Sequence, residues 1–168
     1  MLKKIIIALL VALPLSAAAQ KFGTVDIDQV ISAMPEVAEM QTQLTEASKK
    51  YEAEFQKLVE ELNKLVTEFQ AIQNDANTPE TIKERRMQDI QERQTKVEQF
   101  RTTATQDLQR QQEQLMAPIQ AKMTEAIKAV GQEGGFTFVF PADPGLVLYQ
   151  GADVVDLTAT VKAKLGIK

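Results

Sequence analysis

Apolar or small residues recur at alternating steps of three and four along residues 37–72, and this spacing constrains the fold more than any other feature. The positions are Val37, Met40, Leu44, Ala47, Tyr51, Phe55, Leu58, Leu62, Leu65, Phe69 and Ile72. Such steps average about 3.5 residues, the repeat of a coiled-coil helix. A double step of four at Ala47, Tyr51 and Phe55 acts as a stutter that locally unwinds a supercoil. The segment predicts a helix of about 40 residues, about 60 Å long, which must project from any compact domain of this size.

A short polar break separates this helix from a second one. Residues 74–79 read Asn-Asp-Ala-Asn-Thr-Pro, and Pro79 suits the start of a helix. The second helix is predicted from about Pro79 to Val130. Because two long helices joined by a short break form an αα-hairpin, residues 35–116 are predicted to be a helical-hairpin arm with its tip near residues 74–79.

The second helix contains ten glutamines between Gln88 and Gln120. One interpretation is an aggregation-prone, low-complexity segment. The other is an ordinary helix with long polar side chains, since glutamine is a good helix former. Charged and apolar residues at helical spacing are interleaved with the glutamines, and this favours the second interpretation.

Short β-rich segments flank the hairpin in the sequence. Residues 21–27 predict a strand, residues 28–34 a turn or short helix, and Pro35 the first residue of the long helix. After Gly134 and Gly135, strands are predicted at 136–140 and 146–149, and a last short helix runs from Asp156-Leu157-Thr158 through Leu165. The fold class is therefore α+β, with a small β-rich body formed by residues 20–34 and 117–168. A sheet this small has exposed edges, so the body is predicted to oligomerise.

The first nineteen residues have the pattern of a secretory signal peptide. Lys3 and Lys4 precede an apolar run at 5–13, and Ala17-Ala18-Ala19 offers a cleavage site near Ala19. A membrane anchor is disfavoured because a span needs roughly 20 apolar residues. A lipoprotein anchor needs a cysteine, and the chain has none. The mature chain is predicted to be exported and to begin at Gln20.

Charge and composition exclude several functions. The chain has 19 basic and 23 acidic residues, and removal of Lys3 and Lys4 leaves 17 basic residues and a net charge of about −6. This balance argues against a nucleic-acid partner, which needs a positive surface. The chain has no cysteine and no histidine, so nucleophilic and general-base chemistry and metal sites that rely on these two residues are excluded. Carboxylate pairs remain possible in principle, but no pocket with convergent groups is visible, so no enzyme activity, cofactor or metal is predicted. For Asp26 and Asp28, a turn or cap role is favoured over catalysis.

Several segments, taken in order, carry a family resemblance. They are Lys21-Phe22-Gly23-Thr24-Val25-Asp26-Ile27, the leucine-spaced helix, the glutamine-rich return helix, Leu115-Met116-Ala117-Pro118-Ile119, Glu133-Gly134-Gly135-Phe136-Thr137-Phe138-Val139, Leu146-Val147-Leu148-Tyr149 and Asp156-Leu157-Thr158. Each is similar to the corresponding segment of the Skp (OmpH) family of periplasmic chaperones. No single motif is specific, but the ordered set together with a signal peptide is.

The resemblance implies a homotrimer in which a β-rich body holds three helical-hairpin arms around a cavity. The resemblance also implies that unfolded outer-membrane β-barrel proteins are held in that cavity without ATP, which agrees with the absence of a phosphate-binding loop of the Walker type from the sequence. One departure concerns charge, because many members are strongly basic. Residues 36–76 here carry nine acidic and four basic residues, which disfavours contact with a membrane surface or lipopolysaccharide.

Two groups of residues in the return helix are candidate contacts. The first, for unfolded clients, comprises Met87, Ile90, Val97 and Phe100; packing against the opposite limb is the alternative, and it is favoured for Val97 and Phe100. The second, for anions at the tip, comprises Lys83, Arg85 and Arg86; the alternative is a solvated helix face beside Glu84 and Asp89. A different function stays open, that of a coiled-coil envelope adaptor or spacer that docks a folded partner.

Overall fold

The computed structural model describes residues 20–167, and the predicted signal peptide lies outside this range. The chain forms β1 (Phe22–Val25), α1 (Ile27–Ala33), α2 (Pro35–Gln73), α3 (Glu80–Glu133), β2 (Phe138–Pro141), β3 (Val155–Asp156) and α4 (Thr158–Lys164). These elements confirm the α+β fold class. They fall into two compact units: the hairpin unit, Met34–Lys122, and the body unit, which combines the residues up to Ala33 with those from Met123 onward.

The body unit contains a three-stranded parallel sheet in the order β2-β1-β3. The ladder continues past the strands, since the Thr137 amide donates to the Lys21 carbonyl (2.7 Å) and the Leu157 amide to the Thr24 carbonyl (2.8 Å). Gly23 lies in the central strand, and a Cβ atom there would stand 2.6 Å from Cδ1 of Leu157. Glycine at this position therefore allows Leu157 to pack directly on the sheet.

A small but complete core fills the body unit. Val25, Val30 and Val161 are fully buried, and Leu157 is 4% exposed. The last turns of α3 add buried residues of their own, which are Met123, Ala126 and Val130. Segments from both ends of the chain thus share one core.

Asp26 joins β1 to α1. Its carboxylate accepts the amide of Gln29 (2.8 Å), the usual bond of a helix cap. Its own amide donates to the hydroxyl of Thr158 at the start of α4 (3.0 Å). The cap role predicted for Asp26 is confirmed.

Glycine ends α3 as the sequence predicts. Gly135 has φ of 65°, the Gly135 amide donates to the Gln132 carbonyl (3.2 Å), and the Phe136 amide donates to the Gly131 carbonyl (2.9 Å). This pair of bonds is the Schellman motif, which needs a left-handed residue after the helix. The helix extends to Glu133, three residues beyond the predicted end at Val130.

The strand predicted at residues 146–149 is wrong. The amides of Leu146 and Val147 both donate to the carbonyl of Asp143 (2.9 Å each), so a tight turn uses the first two donors that a strand would need. Leu148 and Tyr149 are left 93% and 86% exposed. The third strand forms instead at Val155–Asp156, where it pairs with β1.

In the hairpin unit the predicted helices are confirmed. α2 begins at Pro35, and α3 begins at Glu80, one residue after the predicted Pro79. The glutamine-rich stretch is helical throughout. All eleven apolar positions of the predicted repeat are buried or half-buried, whereas most residues between them are exposed. The repeat therefore identifies the packed face of α2.

Candidate functional site

Residues of the two limbs of the hairpin unit meet in antiparallel order. Arg93 forms an ion pair with Glu61 (2.7 Å), Arg86 lies 3.9 Å from Glu68, and Lys122 bonds Glu36 at the far end. As the residue number rises along α3, the number of the partner on α2 falls, which is the order that an antiparallel hairpin requires. The contact with Lys122 lowers the pKa of Glu36.

The middle of the hairpin combines an aromatic contact with a polar one. The rings of Tyr51 and Phe100 meet edge to face, with centroids 6.1 Å apart. The Tyr51 hydroxyl donates to the carboxylate of Asp107, which also accepts bonds from Arg110 and from the Gln111 amide nitrogen (2.7 Å). The Tyr51 bond is the largest cause that lowers the pKa of Asp107 to about 2, and the same bond raises the pKa of Tyr51. This group connects the limbs where the heptad repeat stutters.

Few residues of the hairpin unit are buried. The five are Met34, Val37, Met40, Ala104 and Ile119. Between Met40 and Ile119, Ala104 alone is buried, and the remaining apolar residues that face the opposite limb keep part of their surface in water. We call this half-exposed line of apolar residues the seam.

The predicted client contacts differ in exposure. Met87 is 48% exposed, whereas Ile90, Val97 and Phe100 are half-buried. Ile82, on the first turns of α3, is 49% exposed and was not among the predicted contacts.

Each of the basic residues predicted at the tip lies beside a carboxylate. Lys83 is 3.9 Å from Glu80, and both Arg85 and Arg86 reach Asp89, at 3.1 and 4.0 Å. The three cations are thus close together along α3 but are partly neutralised by their neighbours. Any contact with an external anion competes with these pairs.

Asp75 organises the loop at the tip. Its carboxylate accepts the Asn77 amide (3.0 Å) and the Thr78 hydroxyl (2.8 Å). These bonds lower the pKa of Asp75, and the bond from the Asn77 backbone amide is the largest cause. Such an Asx turn fixes the reversal of the chain between the two helices.

The body unit exposes a group of large apolar side chains that sequence reasoning did not assign to a site. We call it the body patch; its members are Phe138, Phe140, Leu146, Leu148 and Tyr149. Phe138 and Phe140 stack on one another with ring centroids 5.8 Å apart. The signal available in the sequence was the run of apolar residues around 146–149 in a chain with a very small core.

Among residues 20–167, no helix has the length and apolar character that a membrane span needs.

These features define a class of α+β protein in which a long helical hairpin is inserted between the strands of a short parallel sheet. The family model for outer membrane protein (OmpH-like) matches residues 21–165, and the chain belongs to this family. The family is a periplasmic chaperone family and not an enzyme family, which gives the chain a chaperone-type role in general terms. A comparison with the curated proteins finds no match.

Proposed function

We propose that the mature chain is an ATP-independent holdase that binds unfolded outer-membrane β-barrel proteins and prevents their aggregation. Three copies assemble through the β-rich body formed by residues 20–34 and 117–168. The helical arms, residues 35–116, enclose the client between them. The proposal includes export by the signal peptide 1–19, cleaved near Ala19.

The seam is the observation that carries this proposal. A holdase must contact many different sequences without locking onto one of them. Half-exposed apolar side chains, separated by long polar ones, offer many weak contacts of this kind. Several arms acting on one client raise the effective concentration, so weak contacts sum to useful retention.

Within the seam, Met87 and Ile90 are the residues that we assign to client contact. Met87 is nearly half exposed, and methionine adapts to irregular apolar partners. Val97 and Phe100 are half-buried, and Phe100 already packs against Tyr51. Their share in client contact is correspondingly smaller.

The body patch supports assembly through the body unit. Exposed apolar groups of this size usually mark an interface, and the outer edges of β2 and β3 offer unpaired backbone groups. A closed cyclic assembly covers both features at once. The number three comes from the family resemblance.

A contact between Lys83, Arg85 and Arg86 and an external anion is a weaker part of the proposal. The pairs with Glu80 and Asp89 must loosen first. Surface pairs contribute at most about 1 kcal/mol and are screened by salt, so they loosen readily. Salt screens the contact with an external anion in the same way, so this contact is expected only at low ionic strength.

Native mass spectrometry tests the proposal. The mature chain, residues 20–168, is measured alone and after a urea-unfolded outer-membrane β-barrel protein is diluted into it. We expect a trimer that takes up the unfolded client and ignores the same barrel once folded. Binding of one folded partner and no unfolded client would support an adaptor instead, and a lone monomer would contradict the assembly.

The double substitution Met87→Ser and Ile90→Ser tests the assigned contacts. Exposed apolar surface is removed near the tip, so client should dissociate faster while the trimer stays intact. Dissociation rates from surface-captured protein give the comparison, with Ala53→Ser, an exposed change on α2, as the control. Loss of helicity or of the trimer would mean that the two residues belong to the packed core.

A further inference from the structure

A groove opens between the two limbs beside Tyr51 and Phe100. Its volume is about 220 Å³, and Tyr51, Phe55, Phe100, Ala104 and Leu108 provide most of the apolar part of its lining. Ala104 is the only buried residue in that lining, whereas Glu52, Arg101 and Thr105 are exposed. We call this space the aromatic groove.

The groove exists because Ala104 is small. Phe100, Ala104 and Leu108 follow one another at steps of four along α3, so they share a face of the helix. At the core positions of a coiled coil, large apolar side chains usually fill the space between the helices. Here only a methyl group stands between Phe100 and Leu108.

We infer that the aromatic groove is a binding site for one aromatic side chain of an unfolded client. The inference rests on the proposed holdase function and names the side-chain chemistry that the arms select. The size, the lining and the charge of the groove all favour such an occupant.

The size is sufficient for a ring. An apolar cavity of about 150 Å³ binds benzene in another protein, and the aromatic groove measures about 220 Å³. The residues at the rim of the groove are exposed, so the groove opens to solvent. A side chain of an unfolded chain can therefore enter it without disruption of the hairpin.

The lining favours an aromatic occupant over an aliphatic one. Tyr51 and Phe100 already meet edge to face, and a third ring can continue this arrangement against Phe55. Arg101 stands at the rim, and within residues 20–167 no carboxylate pairs with it. An unpaired guanidinium is attracted to the face of an aromatic ring, whereas an aliphatic side chain offers it nothing.

The proposed clients supply such side chains at regular intervals. Strands of outer-membrane β-barrels carry girdles of aromatic residues at both membrane interfaces. In the unfolded client these residues are exposed and spaced along the chain. One ring in each groove gives weak individual contacts, which are what a reversible holdase uses.

A spectroscopic test uses the unmodified protein. The mature chain is labelled with ¹³C at its alanine methyl groups and titrated with N-acetylphenylalanine amide, with N-acetylleucine amide as the matched probe. The ring current of a bound phenylalanine should move the Ala104 methyl signal in a saturable manner, and the leucine probe should leave it in place. Equal, linear shifts with both probes would overturn the proposal.

The substitution Ala104→Leu tests the role of the groove in client binding. A leucine fills the space, so affinity for an unfolded barrel protein should fall roughly three- to tenfold, the range expected for loss of one aromatic contact. Ala53→Leu adds the same atoms at an exposed position of α2 and is the control. A filled groove with unchanged client affinity would overturn the proposal.

Two further comparisons separate the possible failures. If the unmodified chain captures no unfolded client, the holdase function fails; if it captures client and Ala104→Leu does so equally well, only the groove fails. Should Ala104→Leu disturb the hairpin, Arg101→Gln is the second variant, since the Arg101 side chain is exposed and forms no ion pair within the described range. The Arg101→Gln variant should bind an aromatic-rich client more weakly. Its affinity for a client in which those aromatic residues are replaced by leucine should stay unchanged. No loss for the aromatic-rich client, or an equal loss for both clients, would contradict the inference.

Discussion

The body unit and the hairpin unit are stabilised in different ways. In the body, Val25, Val30 and Val161 are fully buried, and strands from both ends of the chain share a ladder. In the hairpin, a single residue between Met40 and Ile119 is buried, and the limbs are joined by scattered polar contacts such as Arg93 with Glu61. The body therefore depends on long-range packing, and the hairpin depends on local helix formation.

This difference separates stability from function. Packed cores are specific, because each side chain fits its neighbours. A surface that accepts many unfolded chains cannot be packed in this way, since its apolar groups must remain available. The hairpin keeps its seam half exposed, and its helices are maintained by the propensity of Gln, Glu, Lys, Leu and Ala for helix. Under the proposed holdase function, the arm binds variable partners while the body supplies a defined fold.

The largest effect expected is that of core truncation in the body. Leu157→Ala removes a side chain that is 4% exposed, and it should lower the free energy of unfolding by about 2–5 kcal/mol. Leu62→Ala, at a half-buried position of the seam, should cost only about 1–2 kcal/mol. Urea unfolding at one fixed protein concentration gives both values. Equal losses would remove the distinction between the two units.

A smaller effect is expected where α3 ends in the body unit. Gly135→Ala forces a side chain into a left-handed conformation and should cost about 1–2 kcal/mol. The control, Gly131→Ala, lies inside the helix, and its Cβ atom would meet Val139 at 3.5 Å, an ordinary contact. It should stabilise the protein by about 0.5–1 kcal/mol. Thermal unfolding of the two variants should therefore shift in opposite directions, and shifts in the same direction would contradict the Schellman motif.

The smallest effect concerns the polar contact across the hairpin. The folded-state pKa of Asp107 is lowered to about 2, below its ordinary value of 3.8. The stabilisation that it contributes is therefore present above about pH 4 and is lost as the pH falls from about 4 toward about 2. Tyr51→Phe removes the hydrogen bond that is the largest cause of the lowered pKa. In a carboxyl NMR titration, the pKa of Asp107 should therefore rise toward its ordinary value. The pKa of Glu36, lowered by Lys122, is the internal control and should not move.

The parts of the fold that follow a sequence repeat were predictable, and the parts that depend on contacts with distant residues were not. The spacing from Val37 to Ile72 defines both the helix and its packed face, because a helix repeats its environment every few residues. Leu146-Val147-Leu148-Tyr149 has strand-like composition, but strand formation depends on a free partner edge and on free backbone donors. The turn at Asp143 uses two of these donors, and no local pattern reveals this.

Candidate contacts on the hairpin were only partly accessible to the same reasoning. The position of Met87 near the tip pointed to exposure, and its side chain is 48% exposed. Spacing alone did not identify the groove beside Ala104, because a small residue in a heptad position is compatible with close packing as well as with a gap. The outcome depends on the distance between the limbs, and beside Ala104 the limbs are joined by the contacts of Tyr51 with Phe100 and Asp107.

Hydrogen exchange tests most directly whether the seam of the hairpin holds the client. The mature chain is exchanged alone and after capture of a urea-unfolded outer-membrane β-barrel protein, and protection is compared between peptides of the two units. Client binding should slow exchange in α2 and in α3 up to about residue 116, while the strands of the body stay unchanged. Protection confined to the body patch, at Phe138–Pro141 and residues 146–149, would contradict the account.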